Sequence, residues 1–210
     1  MLVIFDFDST LLDGESIDLL ARCHGVEDEV AAITAATMRG ELDFFDSLTR
    51  RVAMLDGLAI SDIATSLERD FKLMNGAASC ALALRNDGHY VVCFSGGFSL
   101  VTEHFKSTLG LQSSFSNVLQ IKDGRLTGKV GGALMFGDSK GILLGQLQDI
   151  LGLRPKDCVV VGDGANDLSM FARADTRVAF CAKEILKKEA THCVDTKDLR
   201  EVIDIVRSVS

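Results

Sequence analysis

Leu2-Val3-Ile4-Phe5-Asp6-Phe7-Asp8-Ser9-Thr10 sets four apolar residues against two acids separated by one aromatic. A short, unbroken apolar run that ends in polar residues has the pattern of a parallel strand buried on both faces and running into a loop. Two further runs share it. Tyr90-Val91-Val92-Cys93-Phe94 ends at Ser95-Gly96-Gly97, and Cys158-Val159-Val160-Val161 ends at Gly162-Asp163-Gly164. Between them, Phe98, Val101, Phe105 and Leu109 follow helical spacing, as do Ile142, Leu143, Leu147 and Ile150. Val178-Ala179-Phe180 and His192-Cys193-Val194 are weaker strand candidates, and Leu199, Val202, Ile203 and Val206 mark a closing helix. Strands alternating with helices predict an α/β fold, a doubly wound and mostly parallel Rossmann-like sheet with its ligand crevice at the carboxyl ends of the strands.

Two segments interrupt the alternation. Residues 14–75 are helical in pattern throughout, with Ser61 as a helix N-cap, and are too long for a simple crossover. The expectation is an α/β core of residues 1–13 and 76–210, with residues 14–75 inserted as a helical cap over the crevice. Leu119 to Phe136 places Asp123-Gly124 between alternating apolar positions, which predicts a small β-hairpin.

Composition narrows the function. The chain has 210 residues, 22 Lys+Arg against 30 Asp+Glu and a net charge of −8, so a nucleic-acid partner is not expected. With 47% hydrophobic and 25% charged residues, usage is that of a globular protein. No apolar run reaches the length of about 18 needed for a membrane span, and no basic leader precedes Leu2-Val3-Ile4-Phe5, so a cytoplasmic protein is expected. The six cysteines form no Cys-x-x-Cys pair and read as buried free thiols. The four histidines show no ligand spacing.

The acids at the strand ends carry the chemistry. With Phe7 between them, Asp6 and Asp8 project to one side of an extended chain. Asp163 and Asp167 follow the third run. Carboxylates converging from separate strands repel unless a cation lies among them, and Mg²⁺ is the natural occupant. Solvated turn acids are the plainer alternative, which suits isolated cases such as Asp123. Ser95-Gly96-Gly97 opens a helix and so forms an anion cradle, although such a turn alone is as often only a turn. Lys140, in the first turn of a helix over Ser139 to Leu151, is unfavourable with the helix dipole unless an anion is near; otherwise it is a surface lysine. Together these groups indicate phosphoryl transfer, with Asp6 as nucleophile, Lys140 and the cation over the phosphoryl oxygens, and Asp8 protonating the leaving group.

Asp6-Phe7-Asp8-Ser9-Thr10 resembles the first motif, Asp-x-Asp-x-Thr, of the haloacid dehalogenase-like phosphatases. Ser95, Lys140 and Gly162-Asp163-Gly164-Ala165-Asn166-Asp167 resemble its second, third and fourth motifs, in order and across essentially the whole chain. Within that superfamily the sequence is most similar to the phosphoserine phosphatases, through Glu15-Ser16, Ser95-Gly96-Gly97-Phe98, Asp123-Gly124-Arg125-Leu126-Thr127-Gly128 and Phe180-Cys181-Ala182-Lys183. The resemblance implies an aspartyl-phosphate intermediate on Asp6, with Asp8 as general acid and then base. It implies Mg²⁺ bound by Asp6, the Asp8 main-chain carbonyl and Asp163, with Asp167 orienting the metal's water shell. Ser95, Gly96, Gly97, Lys140 and Asn166 would hold the phosphoryl group, Glu15 and Arg51 the substrate ammonium and carboxylate, and Met38 and Phe44 would close over its carbons. From the residues alone, Glu15 reads as a first-turn helix acid and Arg51 as half of a solvated Arg50-Arg51 pair. Lys72-Leu73-Met74-Asn75-Gly76 lacks the proline usual in that family where the cap rejoins the core.

The expected activity is hydrolysis of the small phosphomonoester L-phosphoserine in serine biosynthesis. Alternatives are another small phosphomonoester, phosphoryl transfer to an acceptor such as homoserine, and, remotely, a receiver-like phospho-aspartate switch. Such a switch needs neither a cap nor Asp8.

Overall fold

A computed structural model describes residues 1–210 and places the three apolar runs side by side in one seven-stranded sheet. In chain order the elements are β1 (Leu2–Phe5), α1 (Ser16–His24), α2 (Glu27–Met38), α3 (Phe44–Ala53), α4 (Ile60–Arg69), α5 (Ala77–Asn86) and β2 (Tyr90–Phe98). They continue as α6 (Ser99–Leu109), β3 (Ser113–Lys122), β4 (Arg125–Gly131), α7 (Ser139–Leu151), β5 (Cys158–Gly162) and α8 (Leu168–Phe171). The chain ends with β6 (Thr176–Phe180), α9 (Glu184–Lys187), β7 (His192–Val194) and α10 (Glu201–Ser208). The sheet order is β4-β3-β2-β1-β5-β6-β7, parallel except at the β3–β4 edge. Central β1 pairs in register with both neighbours, Leu2 opposite Tyr90 on one side and Cys158 on the other.

Every residue of β1 is buried, which is why it reads as an unbroken apolar run. Val3 and Phe5 join Val91, Cys93, Val159 and Val161 beneath α5, α6 and α10. Leu2 and Ile4 join Val92, Phe94, Cys158 and Val160 beneath α7 and α8. Each such side chain contributes about 1.5–3 kcal/mol relative to exposure, so the doubly covered strand anchors the acids that follow it. From β1 the sheet extends through β2 to β4 on one side and through β5 to β7 on the other, and the crevice opens where the order reverses, at the carboxyl ends of β1, β2 and β5.

Residues 14–75 contain α1 to α4, joined by short loops. Leu20, Leu48, Val52, Leu55, Ile63 and Leu67 join the same apolar cluster as Val3 and Phe5. The entering and leaving chains pair through Leu12 and Leu73, with Asp13 N–H donating to the Lys72 carbonyl at 2.8 Å and Met74 N–H to that of Leu11 at 2.9 Å. This pairing holds the proline-free segment against the start of the insertion.

Three local expectations are corrected. The second run does not stop at Phe94: β2 continues through Ser95-Gly96-Gly97 to Phe98, with a register shift against β3. The hairpin turns at Asp123 (φ 50°) and Gly124 (φ 73°), as Asp-Gly requires, but β3 begins at Ser113 and makes the hairpin the edge of the main sheet. Ser61 is not an N-cap; α4 begins at Ile60, whose N–H is satisfied by the Gly124 carbonyl at 2.9 Å. All six cysteines are unpaired; Cys80, Cys93 and Cys158 are buried, whereas Cys23 and Cys181 are partly exposed and Cys193 exposed. No helix is long and apolar enough to cross a membrane.

Candidate active site

β1 ends at Phe5, and the chain turns so tightly that Leu12 N–H reaches the Phe7 carbonyl at 2.8 Å. Ser9 takes a left-handed conformation (φ 57°) to make the turn. Phe7 is fully buried and faces Phe105, while Asp6 and Asp8 open into a common cavity of about 470 Å³. The two acids share a side, as expected, through this turn rather than through a continued strand.

At the floor, Lys140 reaches Asp6 Oδ1 and Asp167 Oδ1, each at 2.6 Å. All three side chains are buried, so Lys140 is not a surface lysine, and the anions that offset its place in the first turn of α7 are these two. Burial works against its charge, but Asp167 and Asp6 outweigh it and raise the ammonium above the usual lysine value. Asp6 is raised well above the carboxylate range, first by burial and then by Asp167, with Lys140 pulling the other way. Asp163 is pushed up to about 7 by burial and by Asp167.

Asp167 also accepts N–H bonds from Asp163 (3.0 Å) and Gly164 (3.1 Å) at Oδ2, which fixes the turn after β5. Asp6, Asp163 and Asp167 each offer one carboxylate oxygen, and these lie within 4.8 Å of one another. Three acids against one lysine, Asp6 and Asp167 buried and Asp163 partly so, present hard oxygen donors that fit a divalent cation. With both oxygens already engaged, Asp167 is placed to hold Lys140 and the turn.

Asp8 Oδ1 accepts the Ser16 N–H at 2.8 Å, and burial followed by Glu15 raises its carboxyl to about 7. Such a group carries and releases a proton near neutral pH. Ser95 is fully buried; its Oγ accepts the Gly97 N–H at 2.9 Å, leaving its own proton for Asp8 Oδ2 at 3.5 Å or for a ligand. Ser95-Gly96-Gly97 is therefore extended strand and not a turn. Gly97 permits the close approach: a Cβ there would lie 2.6 Å from both Asp8 Oδ2 and Ser16 Oγ, whereas one on Gly96 would come 3.2 Å from the Phe44 ring, a tight contact that a small shift of the ring relieves.

The insertion forms the roof. Glu15, Met38, Phe44 and Arg51 all line the cavity, with Gly96, Gly97, Asp163 and Asn166 below. Asn166 Nδ2 points at Asp6 Oδ2 at 3.5 Å. Glu15 accepts the Ser9 hydroxyl at 2.8 Å. Arg51 belongs to no solvated pair: it is partly buried, burial lowers its pKa, and no carboxylate forms an ion pair with it. Met38 stands at the rim, 73% exposed, rather than over the cavity.

Cavity residues not singled out from the sequence include Asp18, Thr34, Thr37 and Ser47, and Lys183, quoted only as part of the Phe180–Lys183 resemblance, lines the cavity too. Asp18 follows Glu15 by one helical turn and was in that sense visible. Asn117, fully buried, was not: its Nδ2 donates to the carbonyls of Gly96 and Leu134, each at 3.0 Å, and no motif marks it.

Residues 1–175 match the family described as haloacid dehalogenase-like hydrolase. The chain is 50% identical over 202 residues to a phosphoserine phosphatase of Wolinella succinogenes, covering 96% of this chain and 98% of the relative. It is 43% identical over 206 residues to one of Methanocaldococcus jannaschii, covering 98% and 97%. A solved phospho-aspartyl intermediate analogue of phosphoserine phosphatase superposes with a TM-score of 0.90 at 44% identity, covering 97% of each chain. A substrate-bound phosphoserine phosphatase complex does so with a TM-score of 0.90 at 43% identity, again over 97% of each chain. The chain belongs to the haloacid dehalogenase-like hydrolases and, within them, to the phosphoserine phosphatase family.

Proposed function

We propose that the chain hydrolyses L-phosphoserine to L-serine and phosphate as a step of serine biosynthesis, using Mg²⁺ held by Asp6, the Asp8 main-chain carbonyl and Asp163. The observation that carries the substrate is Arg51. A partly buried guanidinium without an ion-pair partner is unfavourable unless an anion joins it, and its planar fork matches a carboxylate. Glu15 lines the same cavity and supplies the opposite charge for an ammonium. One acid and one base above a phosphoryl-transfer floor suit an amino-acid phosphate. The names of the relatives and the phospho-aspartyl analogue support the same reading.

In this reading Asp6 Oδ1 is engaged by Lys140 and by the Phe7 N–H, each at 2.6 Å, so Oδ2 is the oxygen left to attack phosphorus. The bond from Oδ2 to phosphorus forms as the bond to the serine oxygen breaks. Asp8, titrating near 7, delivers its proton to that oxygen. As a carboxylate it then takes a proton from the water that attacks the phosphoryl group, and Asp6 is regenerated. Ser95 Oγ, the Gly96-Gly97 backbone and Lys140 hold the phosphoryl oxygens, with Asn166 beside Asp6. Mg²⁺, when bound, supplies positive charge against the phosphoryl oxygens and the clustered acids. Residues 14–75 act as the cap, with Phe44 over the substrate carbons and Met38 moving in from the rim to exclude water.

Phosphate release with Mg²⁺ from L-phosphoserine, D-phosphoserine, phosphothreonine, a sugar phosphate and a nucleoside monophosphate tests the proposal, with Asp6→Asn as blank. Strong preference for L-phosphoserine supports it. Activity confined to the other substrates would refute the roles of Glu15 and Arg51.

A further inference from the structure

Phe45 and Phe136 stack face to face, with ring centroids 5.1 Å apart and planes inclined by 10°. Phe45 is in the first turn of α3, beside Phe44 and on the helix that carries Arg51. Phe136 is in the loop that leads into α7 and Lys140. The contact therefore joins the helical insertion to the core at the crevice.

The two partners are held differently. Phe136 sits on a fixed mount: its N–H donates to Ser139 Oγ at 3.0 Å, and its carbonyl accepts the Ser139 N–H at 3.1 Å. The same loop is tied at Leu134 to the buried Asn117, whose amide also holds the Gly96 carbonyl. The ring thus has a fixed relation to the anion cradle. Helix α3 is secured at its other end, where Gly57 N–H donates to Leu126 and Leu126 N–H to Leu58, each at 2.9 Å, along the β4 edge. At its N-terminal end the Asp43 cap serves the helix itself, accepting the Asp46 N–H. The aromatic stack is what ties that end to the α7 loop. Phe45 and Phe136 are 37% and 57% exposed, so the stack lies at the surface, where its two rings can part into solvent.

We infer that the Phe45–Phe136 stack is a clasp that sets α3 in register with the phosphoryl-binding strand, making both rings positioning residues for Phe44 and Arg51. The inference rests on the reading of α3 as the helix that recognises the substrate. An aromatic pair is worth a modest increment beyond its buried area, so the clasp is strong enough to bias closure and weak enough to open in each cycle.

The test uses the Mg²⁺-loaded enzyme with Phe45→Ala, Phe136→Ala, the double variant and the conservative Phe136→Tyr. Each alanine variant should raise KM for L-phosphoserine about 3- to 10-fold with kcat less affected, and the double variant should be no worse than either single one. For p-nitrophenyl phosphate, which lacks the ammonium and carboxylate, kcat/KM should stay within about twofold. Phe136→Tyr should restore the wild-type KM. Amide hydrogen exchange should quicken at residues 44–48 and not at residues 57–60, which the β4 edge holds. Additive losses, equal losses on both substrates, or unchanged KM and exchange would each overturn the inference. If the wild type fails to turn over L-phosphoserine, the substrate reading falls, and the exchange measurement still decides the clasp.

Discussion

The Lys140 ammonium is shared between Asp6 and Asp167 at 2.6 Å from each, with all three side chains buried. One cation thereby orients Asp6, just past the end of β1, and Asp167, the acid that fixes the turn after β5. Replacing Lys140 by Met should leave two facing carboxylates without a counter-charge, destabilising the metal-free fold by about 3–5 kcal/mol. It should also lower kcat by about 10²–10³ through lost stabilisation of the phosphoryl oxygens. Thermal melts with and without Mg²⁺ and steady-state kinetics check both. A Lys140→Met enzyme with wild-type kcat would remove the lysine from the reaction.

The raised carboxyls predict how stability depends on pH. Asp6 and Asp163 have folded-state values above their unfolded value near 4, so the folded protein binds more protons than the unfolded one between about pH 4 and 7. The stability of metal-free protein therefore falls as pH rises through that window. A divalent cation favours the ionised acids, so Mg²⁺ should raise Tm more at pH 7.5 than at pH 5. Equal shifts at both pH values would place the cation elsewhere.

Arg51→Ala should discriminate between substrates. The loss of a charged hydrogen-bonding partner for the carboxylate is worth about 1.5–3 kcal/mol, or roughly 10- to 150-fold in kcat/KM for L-phosphoserine. A phosphomonoester without a carboxylate should lose far less. Matched losses on both would mean that Arg51 only supports the cap.

Gly97→Ala tests the close approach of the cradle to Asp8. The added Cβ would crowd Asp8 Oδ2 and Ser16 Oγ, and overpacking of this kind costs about 1–3 kcal/mol. The expected result is a folded protein with far weaker catalysis and reduced binding of inorganic phosphate, read by melts and product inhibition. Full activity would show that the strand yields without harm.

The sheet was legible because buried parallel strands are written as apolar runs, and the acids because they sit where those runs end. Asp123-Gly124 announced its turn, since both positions need positive φ. The extension of β2 was hidden: Ser95-Gly96-Gly97 has the composition of a turn, and only packing against Asp8 and Ser16 calls for glycine in an extended strand. The start of α4 was misplaced because its first N–H is satisfied by Gly124, far along the chain, and not by Ser61. Arg51 could not be told from Arg50 without the roof that partly buries one and exposes the other. Asn117 and the Phe45–Phe136 stack carried no signal, because each acts through contacts between distant segments.

Trapping a phosphorylated enzyme is the sharpest check on Asp6 as the nucleophile. Enzyme turning over L-phosphoserine with Mg²⁺ is quenched in acid, digested and read by mass spectrometry. One phosphoryl group is expected on the peptide containing Asp6, absent from the Asp6→Asn variant. A phosphoryl group on another residue, or turnover retained by Asp6→Asn, would contradict it.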